Sequence, residues 1–180
     1  MRIVSGKYRS RIIKAPNNDC TRPTADKARQ GIFNCLQFYI ASSNILDLFA
    51  GSGAYGIEAL SRNAKFVTFI DNDVLAIQAI NENLSNLNVE KEKYEIIKDD
   101  YKCIENLQKK FDIIFLDPPY RMAIFDTFFD IVEKNKLLNN NGIIVYECDK
   151  DLDFINDKYF IKKYKYGIAY VYIFISKNKE

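Results

Sequence analysis

The sequence predicts an α/β protein built on a mostly parallel sheet of about seven strands, closed by an antiparallel C-terminal hairpin and preceded by a short β/α extension. Three observations lead there. Short apolar runs bounded by turn residues alternate with stretches of helical periodicity from about residue 45 to 135, the pattern of βαβ units. A glycine turn, "GSGAYG" at 51–56, lies between the first of these strands and the helix that follows. The end, "YFIKKYKYGIAYVYIFI", is two β-runs broken near Gly167, and strands joined by so tight a turn must pair antiparallel.

Each element has its own signal. Residues 2–14 alternate loosely and read as two short strands with Gly6 at the turn. After the loop "APNNDCTRP", Thr24 is a helix N-cap and Asp26 suits the helix dipole. Ala28, Ile32, Phe33, Leu36 and Ile40 then recur at helical spacing, so 25–41 reads as an amphipathic helix. Residues 45–49 form an apolar strand, the glycine turn opens a helix that ends near "SRN", and 65–70 is the next strand. A helix over 74–87 presents Leu75, Ile77, Ile80, Leu84 and Leu87; 94–98 is a strand and 101–109 a short helix. "FDIIFLD" is a buried strand, "IFDTFFDIVEKN" a helix with Phe125, Phe128, Phe129 and Val132 inward, and "NKLLNNNG" a polar loop before the strand "IIVYE". One domain over 1–180 is expected, with a basic extension at 1–41 and a Rossmann-like core at 42–180.

Composition narrows the chemistry. The 180 residues are 48% hydrophobic and 28% charged, and no apolar run approaches the ~20 residues that span a bilayer. The opening "MRIVSGKYRSR" lacks the apolar centre of a signal peptide, and Cys20, Cys35, Cys103 and Cys148 form no C-x-x-C pair. The expectation is a cytoplasmic, monomeric protein without metal or membrane contact, its four cysteines reduced and mostly in the core. With no histidine, there is no His triad, His general base or His ligand, so the chemistry rests on carboxylates, backbone groups, aromatics or a cofactor. Net charge is +2, but residues 1–30 carry +6 and the rest −4. Arg2, Lys7, Arg9, Arg11, Arg22, Lys27 and Arg29 are therefore candidate contacts to a polyanion, RNA in particular.

The glycine turn asks for a nucleotide-like ligand. Loss of side chains at Gly51 and Gly53 lets a ligand approach the backbone, and Asp71, 20 residues after Gly51, is placed to hold both ribose hydroxyls. NAD and S-adenosylmethionine fit equally to this point. NAD brings a pyrophosphate to the turn, and Asp47 at the end of the preceding strand would repel it. S-adenosylmethionine brings an ammonium and a sulfonium, which suit Asp47 and the acids ending later strands, Asp99 or Asp100 and Asp117. Helix capping alone explains each acid singly but explains all of them together poorly.

"DPPY", at 117–120, follows a buried strand. Two prolines end the strand and hold the carbonyl between them rigid. An exocyclic amine is a poor nucleophile because its lone pair is delocalised. Two acceptors on its N–H groups, the Asp117 carboxylate and the Pro118 carbonyl, favour pyramidal nitrogen and stabilise the charge that develops as a methyl arrives. Tyr120 offers a π-face on which a base can stack. The two motifs together point to methylation of an amino group.

The sequence resembles the bacterial RsmD-type family over nearly its whole length. The likeness runs through "RIVSGKYRSR", "RPTADKARQGIFN" at 22–34, "ILDLFAGSGAYGIEALSR" at 45–62, "DPPY" and "YE" at 146–147; Asp71 stands where Glu is more usual and Tyr55 where Leu is common. The resemblance implies a class I S-adenosylmethionine-dependent methyltransferase fold and methylation of a guanine N2 in small-subunit (16S) ribosomal RNA, free or in the assembled subunit. It implies cofactor roles for Asp47, Gly51, Gly53, Asp71 and Asp99, and target-amine roles for Asp117, Pro118 and Tyr120. With their neighbours, the candidate cofactor set is Asp47, Phe49, Ala50, Gly51, Ser52, Gly53, Gly56, Asp71, Asp99 and Asp100. The catalytic set is Asp117, Pro118, Pro119 and Tyr120. Rival readings are methylation of adenine N6 or a protein glutamine, a catalytically silent RNA-binding protein, and an NAD oxidoreductase, which Asp47 disfavours.

Overall fold

A computed structural model describes residues 1–16, 23–120 and 122–177; the side chains of residues 23–26 lie outside that description, with the expected caps at Thr24 and Asp26, as do Cys20 and Arg22. The chain forms α1 (Pro23–Cys35), β1 (Asn44–Leu48), α2 (Ala54–Ser61), β2 (Phe66–Asp71), α3 (Val74–Asn86), β3 (Tyr94–Lys98), β4 (Phe111–Leu116), α4 (Phe125–Lys134), β5 (Leu138–Cys148), β6 (Tyr159–Tyr166) and β7 (Ala169–Ser176). The strand order is β3-β2-β1-β4-β5-β7-β6. β1 to β5 pair in parallel, whereas β7 is antiparallel to both β5 and β6, as the short turn at Gly167 demands. Strand order reverses between β1 and β4, so the ligand crevice belongs at the carboxyl ends of those two strands.

Alternation along the central strands divides the core. Ile45, Val67, Phe69, Ile113, Phe115, Ile143 and Val145 face α1, α2 and α3, while Leu46, Leu48, Ile70, Ile114, Leu116 and Ile144 face α4. Asp47 lies between Leu46 and Leu48 and so points to the α2 side, and Glu147 shares that face at the end of β5.

Several sequence expectations are corrected. The first helix ends at Cys35 rather than 41, because Tyr39 N–H bonds the Leu36 carbonyl at 2.8 Å and Ser43 N–H the Ile40 carbonyl at 3.2 Å. These tight turns reverse the chain into β1 while Leu36 and Ile40 stay buried. The strands at 2–14 reduce to one bridge, Arg2↔Ile12, in an arm closed by its own turn bonds, Ile3 N–H to the Arg11 carbonyl and Ile13 N–H to the Met1 carbonyl among them, and tied to the body by others. Residues 101–109 form a 3-10 turn over Tyr101–Asn106 instead of an α-helix. The asparagine-rich stretch belongs to β5. A bulge between Phe111↔Leu138 and Ile113↔Ile143 takes up the extra residues, and the Asn139 amide donates to Asp112 Oδ1 at 2.7 Å. Leu75 is 45% exposed, because α3 presents Ala76, Ala79, Ile80, Asn83 and Leu84 to the core. Of the described cysteines, Cys148 is buried, Cys103 is half-buried and Cys35 is exposed.

Asn83 is a polar residue in an apolar stripe. Its amide donates to the Lys14 carbonyl at 2.9 Å and the Ser52 carbonyl at 3.0 Å, tying arm, glycine turn and α3 together. Helix α2 lies unusually close to β2 at Gly56, where an added Cβ would sit 2.2 Å from Phe69 Cε1 and 2.8 Å from Val67 Cγ1. Gly56→Ala should therefore destabilise the protein by about 1–3 kcal/mol through overpacking, despite the better helix propensity of Ala. Urea unfolding checks this, and a variant as stable as the parent would contradict it.

Candidate active site

Residues 49–53 leave β1 along an unusual path. Phe49, Gly51 and Gly53 all have positive φ, at 63°, 55° and 75°. A phenylalanine in that region is strained and persists only where its surroundings fix it; its ring packs on Tyr101 at 5.6 Å. The three glycines have different work. A Cβ on Gly51 would meet nothing within 4 Å, so its backbone faces open space; one on Gly53 would touch Phe69, Ile57 and Ile80 at 3.2–3.3 Å. Gly56, expected to touch a ligand, is instead a packing glycine in the body of α2, as its contact with Phe69 shows.

The start of α2 is capped from outside the helix. Gly53 has no side chain to offer, and Asp47 Oδ2 instead accepts the Gly56 N–H at 2.8 Å. A carboxylate thus already occupies a helix N-terminus that would otherwise suit a phosphate. Asp71 secures the turn from the other side, with Oδ2 accepting the Gly51 N–H at 2.8 Å and Oδ1 the Asp73 N–H at 2.9 Å. At the end of β3, Asp99 is exposed and accepts the Asp100 N–H, whereas Asp100 caps the 3-10 turn through the Lys102 N–H. Ala50 and Ser52 are buried within the turn.

Across the crevice, Asp117 follows β4, Pro118 is buried, and the exposed Pro119 gives its carbonyl to the Met122 N–H at 2.8 Å. Tyr120 is partly buried. Leu116 pairs with Tyr146, so Asp117, the next residue, leaves β4 beside Glu147 on the neighbouring strand. Glu147 is 7% exposed, and its Oε2 accepts the Tyr55 hydroxyl at 2.8 Å. The Tyr55 ring stacks on Phe115, centroids 4.9 Å apart. Burial pushes Asp47 up to about 7, against the pull of its Gly56 bond, and the Asp71 charge adds to the rise. Burial, then Glu147 and Asp47, holds Asp117 well above the carboxylate range. Burial also raises Glu147, with the Tyr55 bond opposing. Tyr55 and Glu147 were not among the expected site residues; an acid closing the buried run "IIVYE" was the available signal.

The expected RNA contacts divide. Arg29 is a correction: it is 2% exposed, with Nη2 donating to the Arg2 carbonyl at 2.8 Å. Lys7 pairs with Glu90 at 3.4 Å, Arg11 Nη2 donates to the Asn86 carbonyl at the C-terminus of α3, and Arg2 Nη1 donates to the Ser10 carbonyl. The Lys7 N–H donates to the Ser61 carbonyl at the far end of α2, so the arm's tip sits at the amino ends of the strands, away from the crevice. Arg9 and Lys27 are exposed, and Arg22 lies outside the described residues.

Comparison with known proteins agrees with this geometry. A family model described as conserved hypothetical protein 95 matches residues 1–175. Ribosomal RNA small subunit methyltransferase D of Haemophilus influenzae is 37% identical, covering 84% of this chain and 80% of its own length. The solved structure of yhhF from Escherichia coli is 27% identical, covers 99% of both chains and has a TM-score of 0.87. The structure of SMU.776 complexed with SAH is 14% identical, with a TM-score of 0.66 over 82% of this chain and 49% of that one, and speaks to the fold alone. The architecture is the class I methyltransferase fold. Among the described residues no cluster suits a metal and no helix is long and apolar enough to cross a membrane.

The raised carboxyls make stability depend on pH. Asp47 rises from 3.8 to about 7, so the folded state binds its proton more tightly than the unfolded state does. Its contribution is therefore present at low pH and is lost as pH rises toward 7, each tenfold difference in proton affinity being worth about 1.4 kcal/mol. The ligand-free protein should melt at a lower temperature at pH 7.5 than at pH 5.5. Asp47→Asn, which keeps an oxygen for the Gly56 N–H, should lessen that fall. Thermal unfolding across the range tests both, and a flat wild-type profile would contradict the account.

Proposed function

The chain belongs to the conserved hypothetical protein 95 family, with ribosomal RNA small subunit methyltransferase D among its relatives, and from that premise we propose that it methylates the exocyclic N2 amine of a guanine in small-subunit ribosomal RNA. The class of activity, methyl transfer from S-adenosylmethionine to ribosomal RNA, comes with the family; the base and atom are our reading. The observation that carries it is the acidic crevice between β1 and β4, where the α2 N-terminus is already neutralised by Asp47. A cationic cofactor relieves the repulsion among these acids, and a pyrophosphate would add to it.

The residues fit that cofactor. Gly51 leaves its backbone open to a ligand, and Asp71 at the end of β2 would hold the ribose hydroxyls. Asp47 and Asp99 complete the acidic wall, with Asp100 contributing through its cap. The bound cofactor supplies an electrophilic methyl group. The chain's part is to orient the amine. Asp117 and the Pro118 carbonyl accept its N–H groups, the adjacent prolines fix that carbonyl, and Tyr120 stacks the base. Of the seven basic candidates for RNA contact, Lys27 is both exposed and on α1 rather than on the arm, and we take it as a phosphate contact.

Reaction of the protein with small-subunit RNA or the assembled subunit, followed by mass-spectrometric nucleoside analysis, should give N2-methylguanosine; methylated adenosine instead would overturn the choice of base. Asp71→Ala should weaken S-adenosylmethionine binding about tenfold or more in calorimetry, by loss of charged hydrogen bonds worth ~1.5–3 kcal/mol. Asp117→Ala should slow single-turnover transfer by ~10²–10³ while the cofactor still binds. Transfer near the parental rate would remove Asp117 from the mechanism.

A further inference from the structure

Glu147 is a buried acid of the crevice that neither the cofactor wall nor the amine-orienting scheme uses. It lies one residue before the end of β5, on the same face as Asp117 and one strand over, and its Oε2 is fixed by the Tyr55 hydroxyl at 2.8 Å. Tyr55 is itself held by packing: its ring meets Phe33 and Phe115 with centroids 6.2 and 4.9 Å away, and those two rings touch each other at 5.4 Å. The phenol therefore presents its proton to Glu147 and has little freedom to turn elsewhere.

The groups facing this pair come from every surrounding element. β1 contributes Asp47, whose charge acts on Asp117. α2 contributes Tyr55, and α1 contributes the buried Arg29, whose charge acts on Tyr55. On β5 itself, Tyr146 and Cys148 belong to the opposite face of the sheet. Among the described residues the pair thus meets another acid and a neutral phenol, and the charge of Arg29 acts on the phenol. Two carboxylates so placed cannot both ionise easily, and the one with the better donor keeps its charge.

We propose that Glu147 is a positioning residue for Asp117: held in place by Tyr55, it makes the two carboxyls share a single proton before a ligand binds, and that proton leaves to solvent when a cation enters. Because Tyr55 favours the charged form of Glu147, the shared proton resides mainly on Asp117. Asp117 then becomes an acceptor for an amine only after the positive charge of the cofactor has arrived, which orders binding before chemistry. That consequence rests on the methyl-transfer reading above; the sharing of the proton does not.

Two measurements on the full chain separate these. The first is a carbon-13 NMR titration of the side-chain carboxyls without ligand. Asp117 should titrate well above the ordinary carboxylate range, fall by about one to two pH units in Glu147→Gln, and fall less in Tyr55→Phe. Gln is isosteric and can still accept the Tyr55 hydroxyl, so the variant removes charge while keeping the contact. An ordinary Asp117 midpoint in the parent, or the same midpoint in all three proteins, would overturn the proposal. The second is calorimetry with S-adenosylmethionine in two buffers of different ionisation enthalpy near pH 7. The parent should release up to one proton on binding and Glu147→Gln distinctly less, with the neutral-sulfur product S-adenosylhomocysteine releasing less than S-adenosylmethionine in the parent. Equal release by parent and variant would also overturn the proposal. Failure of S-adenosylmethionine to bind would overturn the assigned function and the ordering drawn from it, while the carboxyl titration would still decide the shared proton.

Discussion

The ligand side of this molecule depends on the hydrogen bond from the Gly56 N–H to Asp47. Helix α2 must begin at Gly53, in a left-handed conformation, with Phe69 3.2 Å from where a Cβ would be. A capping side chain at that position would be strained and crowded, so the orphan N–H has to find its acceptor elsewhere. The neighbouring strand supplies it. One bond thereby sets the angle at which α2 leaves the turn and decides the sign of charge the crevice accepts.

Such a crevice stores unfavourable electrostatics. The Asp71 charge acts on Asp47, and those of Glu147 and Asp47 act on Asp117, with burial the larger cause of the raised carboxyls. Backbone donors at Gly51, Gly56 and Asp73 and the Tyr55 hydroxyl offset part of that cost. The remainder is relieved by protonation or by a bound cation. A site without histidine can in this way still change its protonation state near neutrality, because burial moves carboxyls into the range that histidine ordinarily covers.

The parallel core was legible because its signals are local and strong: the buried runs of β1, β2 and β4, the glycine turn after β1, and the apolar face of α4. The C-terminal hairpin was legible from its two β-runs and Gly167. What escaped depended on contacts distant in sequence. The end of α1 is set by the reversal into β1, which no residue between 36 and 41 announces. The asparagines of β5 are strand residues because a bulge and the Asn139–Asp112 bond absorb them. In the site, Asp47, Asp71 and Asp117 could be placed from their positions after strands. Gly56 reads as a ligand contact in the sequence because the glycine pattern does not distinguish a glycine needed for a ligand from one needed for Phe69. Glu147 escaped because its significance arises only when β5 lies beside β4 and Tyr55 reaches across from α2.

The basic arm shows the same limit from the opposite direction. Eight basic residues in the first 30 suggested a polyanion surface, but charge in a sequence carries no information about which end of the fold receives it. Buried Glu58 draws the arm down the side of α2 by accepting the Val4 and Ser5 N–H groups at 2.8 and 3.1 Å, and it also binds Arg62 Nε at 2.8 Å. Gly6 then passes so close to the Ser61 carbonyl that no side chain fits. Arg11 meets the Asn86 carbonyl at the C-terminus of α3, a favourable place for a cation in any protein. These contacts explain the arm's composition by its docking on two helices. An RNA strand held at its tip would lie at the amino ends of the strands, whereas Asp117 and Pro118, the acceptors proposed for an amine, follow the carboxyl end of β4. On the methyl-transfer reading proposed above, RNA contacts that serve the crevice would come from elements other than the arm's tip.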